Sequence, residues 1–195
     1  MLSLVVPVVA QSVVQDTAAL LQSDTITPHT KSNAIDARVE YTSADSMVIM
    51  GNGVAHMYGA GDVKYKNMEL SAEYIRIHMD SSTLYAQGVL DTIENEWIGK
   101  PVFVEGEDSY ETDEIIYNLR TQKGLILNAI TEQGEGYILA GKTKKVEGDV
   151  LMMAEGKYTT CDQHDHPHFY LHLTKAKVKP GNYIATGPAY LVVGD

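Results

Sequence analysis

An all-β fold follows from three features of the 195-residue chain. From residue 34 to the end, short stretches alternate apolar with polar residues. Gly, Asn or Asp interrupts them about every 8–12 residues, the spacing of an all-β sandwich, barrel or solenoid. The aromatic complement is 12 Tyr against 2 Phe and 1 Trp, which suits half-buried strands better than a helical core.

Taken in order, residues 1–10 (MLSLVVPVVA) are apolar and end on a small residue. They read as the remnant of an export signal cut near Ala10, although no basic residue precedes Lys31. Residues 11–33 mix Ser, Thr, Asp and Gln without a period and read as an extended leader. Residues 34–195 form the β domain. Strand geometry sends alternate side chains to opposite faces, so Ile75, Ile77 and Met79 share one face, with Arg76 and His78 on the other. Ile115, Tyr117 and Leu119 form a second such set, and Phe169, Leu171 and Leu173 a third. Val63 with Tyr65, and Leu70 with Ala72, extend the same reading.

The texture also repeats. Gly61-Asp62-Val63-Lys64-Tyr65, then Glu69 to Ile75, then Ser82 to Gly88 form one unit of strand, tip, strand, tip and short strand. Pro101-Val102-Phe103, Tyr110 to Tyr117 and Thr121 to Ile126 follow the same order, with weaker echoes over 35–59 and 136–158. Each unit is too short to enclose a core, so neighbours must stack. Spacing alone fits either a solenoid or a meander sandwich.

Charge excludes further classes. Fifteen Lys and Arg against 26 Asp and Glu give a net charge of −11, which argues against a nucleic-acid partner, because that affinity rests on neutralising phosphates. No run of apolar residues reaches the ~18 needed for a membrane-spanning helix. The one cysteine, Cys161, has no partner for an internal disulfide.

The strings Gly61 to Tyr65, Leu70-x-Ala72-Glu73-Tyr74-Ile75 and Leu84-Tyr85-Ala86-Gln87-Gly88 resemble the OstA-type repeat of lipopolysaccharide-transport proteins. More specific are Gly156-Lys157-Tyr158-Thr159-Thr160-Cys161-Asp162, His166-Pro167-His168-Phe169-Tyr170 and Gly187-Pro188-Ala189-Tyr190-Leu191. Together they resemble the periplasmic N-terminal domain of the LptD lipopolysaccharide-assembly family, over about residues 34–193. The resemblance implies an elongated, twisted β-jellyroll or β-taco of stacked OstA-like repeats, with an apolar lumen between its walls. In that family the lumen takes acyl chains of lipopolysaccharide from a periplasmic bridge to an outer-membrane β-barrel in the same polypeptide, a barrel this chain does not contain.

Other motifs read more plainly. Residues 161–172 (CDQHDHPHFYLH) hold four of the seven histidines beside Cys161. Cys, His and Asp are transition-metal ligands, but Pro167 breaks the spacing and no second pair completes a site. The segment therefore reads as a turn, with Cys161, His164, His166 and His168 only secondary metal candidates. A Cys–His nucleophile lacks an orienting third group. The carboxylates of Glu105-Gly106-Glu107-Asp108 and of 111–114 read as solvated tips. Lys142, Lys144 and Lys145 cluster, and Lys175, Lys177 and Lys179 share one strand face. Lysines of this kind protect sheet edges or meet phosphorylated sugars at a groove rim.

The expected function is non-enzymatic and needs no cofactor. It is that of a periplasmic domain at the inner face of the outer membrane that shields lipopolysaccharide acyl chains. The candidate lining is Val63, Tyr65, Leu70, Ala72, Ile75, Ile77, Met79, Ile115, Tyr117, Leu119, Phe169, Leu171 and Leu173, and the headgroup candidates are Lys175, Lys177 and Lys179. The alternative is a structural adaptor joining other OstA-like bridge proteins by β-augmentation.

Overall fold

A computed structural model describes residues 35–194 except 147 and 165. The expected signal remnant and leader, residues 1–33, fall outside these residues. The described residues form strands and no helix, in line with the all-β expectation. In chain order the first eight are β1 (Val39–Thr42), β2 (Ser46–Ile49), β3 (Val54–Tyr65), β4 (Met68–His78), β5 (Thr83–Gln87), β6 (Val89–Asp91), β7 (Glu96–Ile98) and β8 (Val102–Glu105). The others are β9 (Asp108–Glu111), β10 (Glu114–Asn118), β11 (Lys123–Gln133), β12 (Gly136–Val146), β13 (Val150–Thr159), β14 (Phe169–Lys179), β15 (Tyr183–Thr186) and β16 (Ala189–Val193).

All but β6 and β7 belong to one sheet, and those two pair as a separate hairpin. The large sheet is folded on itself. The start of β4 pairs with β8 and its end with β5; the start of β11 pairs with β10 and its end reaches β9. Since β5 pairs with β10 and β8 with β9, the six strands close a ring. The long strands therefore run through two layers. The first layer holds β2, β5, β10 and β15, and the second holds β1, β8, β9 and β16. The repeat units do not simply stack. They interlock, because β5 and β8 of adjoining units each take a partner from the other.

A bend crosses each long strand, and in β4 and in β11 to β14 its trace is a change of parity, whereas in β3 the irregularity at Gly59 and Ala60 leaves Met57, Val63 and Tyr65 on one parity. In β4 the buried residues are Met68, Leu70 and Ala72, then Ile75 and Ile77. In β11 they run from Ile126 to Ala129 and Thr131, in β12 from Ile138 and Ala140 to Thr143 and Lys145, and in β14 from Leu173 to Ala176 and Val178. One extra residue in a strand moves the following side chains to the other face, as at a β-bulge. Asn128, Gly141, Glu155 and Thr174 are the positions skipped by the ladders. Asn128 and Glu155 take left-handed φ of 53° and 56°, and Ala60 in β3 takes 45°. Beside Ala60, Gly59 has φ 72°, and a Cβ there would lie 2.7 Å from the Asp45 side chain. Only glycine satisfies both demands.

The parity change keeps apolar side chains between the layers throughout. Val63, Leu70, Ile75, Leu84, Phe103, Ile115 and Ile126 are wholly buried in one cluster. Each such side chain stabilises the fold by about 1.5–3 kcal/mol relative to exposure. Phe103 of the second layer packs its ring 5.0 Å from that of Tyr117 in the first, so the layers touch directly.

Candidate functional site

The space between the layers gathers most of the residues expected to line a lumen. Val63, Tyr65, Leu70, Ala72, Ile75, Ile77, Ile115, Tyr117, Leu119 and Leu173 are buried there. Met79 is exposed, because β4 ends at His78 and Met79 begins the turn, its N–H donating to the Gly53 carbonyl. Phe169 and Leu171 share the inward face of β14 with Leu173 but are exposed. They pair with Val193 and Leu191 on β16, the last strand of its layer.

At that end no described residue covers the inward face. Leu191 is 66% exposed and Val193 72%, and Ile184, paired with buried Val178 on β14, is also exposed. The first strands repeat the arrangement. Tyr41 pairs with Val63, and Ile49, 60% exposed, pairs with Ala55. Among the described residues the apolar face thus runs from β1 and β2, where Val39 and Met47 still pack on the core, through a packed centre to β15 and β16, and its outermost side chains are exposed at both ends. Ile184, Leu191 and Val193 were not among the lining residues read from the sequence, although the alternation of Leu191 and Val193 around Val192 marks a strand face.

The layers also meet at their free margins, away from the bends. Lys145, only 2% exposed, places Nζ 2.5 Å from Glu105 Oε2 and 3.3 Å from Asp149 Oδ1. Tyr117 Oη donates to Glu105 Oε1 at 3.5 Å. Burial pushes the Glu105 carboxyl up from its ordinary value, against the pull of Lys145. Burial likewise pushes the Tyr110 and Tyr117 phenols far up, and the nearby carboxylates add to it. Two expectations change here. Gly106 and Glu107 form a solvated tip, but Glu105 does not, because β8 turns it inward. Lys145 parts from Lys142 and Lys144, because it lies on the opposite face of β12.

Lys175, Lys177 and Lys179 share the outward face of β14, on the first layer, and are exposed. Lys142 and Lys144 join them across β13. In the loop before β14, Cys161 Sγ lies 3.5 Å from His168 Nδ1. Backbone hydrogen bonds at His168 and Gln163 draw the thiol below its ordinary value. His164 instead packs on the Tyr137 ring, centroids 3.8 Å apart, and His166 is exposed. Among the described residues no three His, Cys, Asp or Glu side chains come close enough to hold a metal ion. The β6–β7 hairpin, also unread in the sequence, exposes Trp97 and, at 92%, Ile93.

No family model matches the chain. Over 155 residues it is 28% identical to the LPS-assembly protein LptD of Acinetobacter baumannii, taking in 78% of this chain. The chain spans 18% of the length of that curated relative. Among solved structures, LptH of Pseudomonas aeruginosa, the LptA homologous periplasmic component of a lipopolysaccharide transport device, covers 84% of this chain and 99% of its own. Its TM-score is 0.28 at 8% identity, too slight a likeness to add to the fold described above. The LptD match bears out the resemblance to the LptD family read from the sequence.

Proposed function

We propose that this chain, similar to LptD over most of its length, is a periplasmic lipopolysaccharide-transfer domain. It shields acyl chains between its layers and passes them toward an outer-membrane β-barrel. The observation that supports this reading is the apolar inward face whose outermost side chains, among the described residues, are exposed at both ends of the sheet. An acyl chain in water costs about 25 cal/mol per Å² of exposed surface, and a face lined by Leu171, Ile184, Leu191 and Val193 takes its place beside such a chain without any covalent step. This is the work of a carrier rather than an enzyme. The buried centre, with Ile75, Ile77, Ile115 and Tyr117, extends the same face. Passage along it requires the layers to part at the margin closed by Glu105 and Lys145.

The test is a photoreactive side chain introduced singly at Ile184 or Leu191, with Glu132 and Tyr190 as outward controls. Crosslinks to lipopolysaccharide in cells are expected at the first two positions and not at the controls. Folded protein that crosslinks at neither inward position overturns the reading. A second reading rests on a separate observation. β1 and β2 at one end, and β15 and β16 at the other, are terminal strands of their layers. Their outer backbone edges suit β-augmentation by neighbouring bridge proteins, and the two functions are compatible.

A further inference from the structure

The outward face of the first layer differs in charge from the rest of the molecule. One row across it reads Ile116, Leu125, Lys144, Met152 and Lys177, each directly opposite the next. The adjoining row carries Lys142, Ala154 and Lys175. Among the described residues none of these four lysines is ion-paired, and the acid bordering them on the same face is Glu114, opposite Leu127. The outward face of the second layer is the reverse, with Asp62, Glu69, Glu111 and Glu132 along its strands, Lys64 drawn to the first two and Lys157 over the Tyr170 ring. In a chain of net charge −11, segregation on this scale gives the domain one basic and one acidic side.

Charge alone would suit any polyanion, but the lysines are interleaved with apolar side chains. Met152 and Ile116 are exposed between them, and the surface over Lys142, Lys144, Lys175 and Lys177 is a shallow depression floored by Met152, Ala154 and Ala185. A lysine can lay its methylene stem on such a floor while its ammonium reaches outward. That combination matches the headgroup region of a bilayer, where phosphates lie just above the acyl boundary.

We propose that this face of the first layer docks on the surface of an anionic phospholipid membrane, orienting the domain with its acidic side away from the lipid. The proposal does not depend on the interior, so either reading can fail while the other stands.

The experiment is flotation of the full chain with vesicles of equal parts phosphatidylcholine and phosphatidylglycerol, against vesicles of phosphatidylcholine alone. Binding is expected only to the anionic vesicles, and it should weaken at high salt as screening shortens the reach of each lysine. The variant K144Q/K177Q should lose about twenty-fivefold in partitioning, at about fivefold per lysine. The variant K64Q/K157Q removes the same charge from the second layer and should bind as the parent does. Unchanged thermal melting shows that each variant is folded. Absence of binding, equal binding to neutral vesicles, or equal losses in the two variants would overturn the proposal.

Discussion

Lys145 is the residue whose environment departs furthest from its chemistry. An ammonium that is 2% exposed must be desolvated, and the partners that compensate are Glu105 and, from the more exposed side, Asp149. Breaking a buried pair by removing one member costs about 3–5 kcal/mol, because the other charge is left without a partner. Replacing both members with apolar residues of similar size is often neutral. Lys145→Met alone and Glu105→Leu alone should therefore each destabilise the domain by about that amount in urea denaturation. The double variant should recover most of the loss. A double variant as unstable as the sum of the singles would show that the two side chains act independently. Under the proposed function the same double variant also changes transport, because an apolar margin binds the layers together without a charge to solvate on opening.

The bends belong to the scale of the strand. Asn128 and Glu155 hold left-handed φ inside strands, a conformation that costs an ordinary L-residue about 1–2 kcal/mol. Glu155→Gly should therefore raise stability by up to about 1 kcal/mol. Its contact with His172, at 3.0 Å, is made by a Glu155 side chain that is largely exposed and contributes little. Glu155→Val, β-branched at the same φ, should lower stability by about 1–2 kcal/mol, and thermal melting of the two variants distinguishes these signs. The same positions mark where the sequence was legible and where it was not. Alternation within one arm of a strand is plain, so Ile75 with Ile77 and Ile115 with Tyr117 could be assigned a face from sequence alone. The bend itself carries little mark, because Glu155 and Ala60 are not residues that announce a left-handed turn. Without the bend in β12, Lys145 reads as one more exposed lysine. The bare ends were illegible for another reason. Whether Leu191 is buried depends on which strand lies beside β16, and its own alternation does not contain that information.

For the molecule as a whole, the exposed ends and the packed centre make opposite demands on substitution. A charge at Leu191 or Val193 enters water rather than a dry core, so L191E/V193E should leave the melting temperature nearly unchanged. If the ends join neighbouring units, the same variant should abolish concentration-dependent association in sedimentation velocity, whereas an unchanged association would remove β15 and β16 from the contact. The tips between strands place few demands on length. At Gly106 and Gly134 nothing lies within 4 Å of an added Cβ, and an extra residue there only enlarges a solvated loop. Within an arm, a single deletion shifts every later side chain by one place and turns the apolar row toward water until the next bend restores it. The bends therefore act on the strands as a shift of frame acts on a message, each one resetting which residues face inward. Insertions and deletions should accordingly be confined to the tips, with the count of residues between tip and bend held constant in any functional variant of the chain.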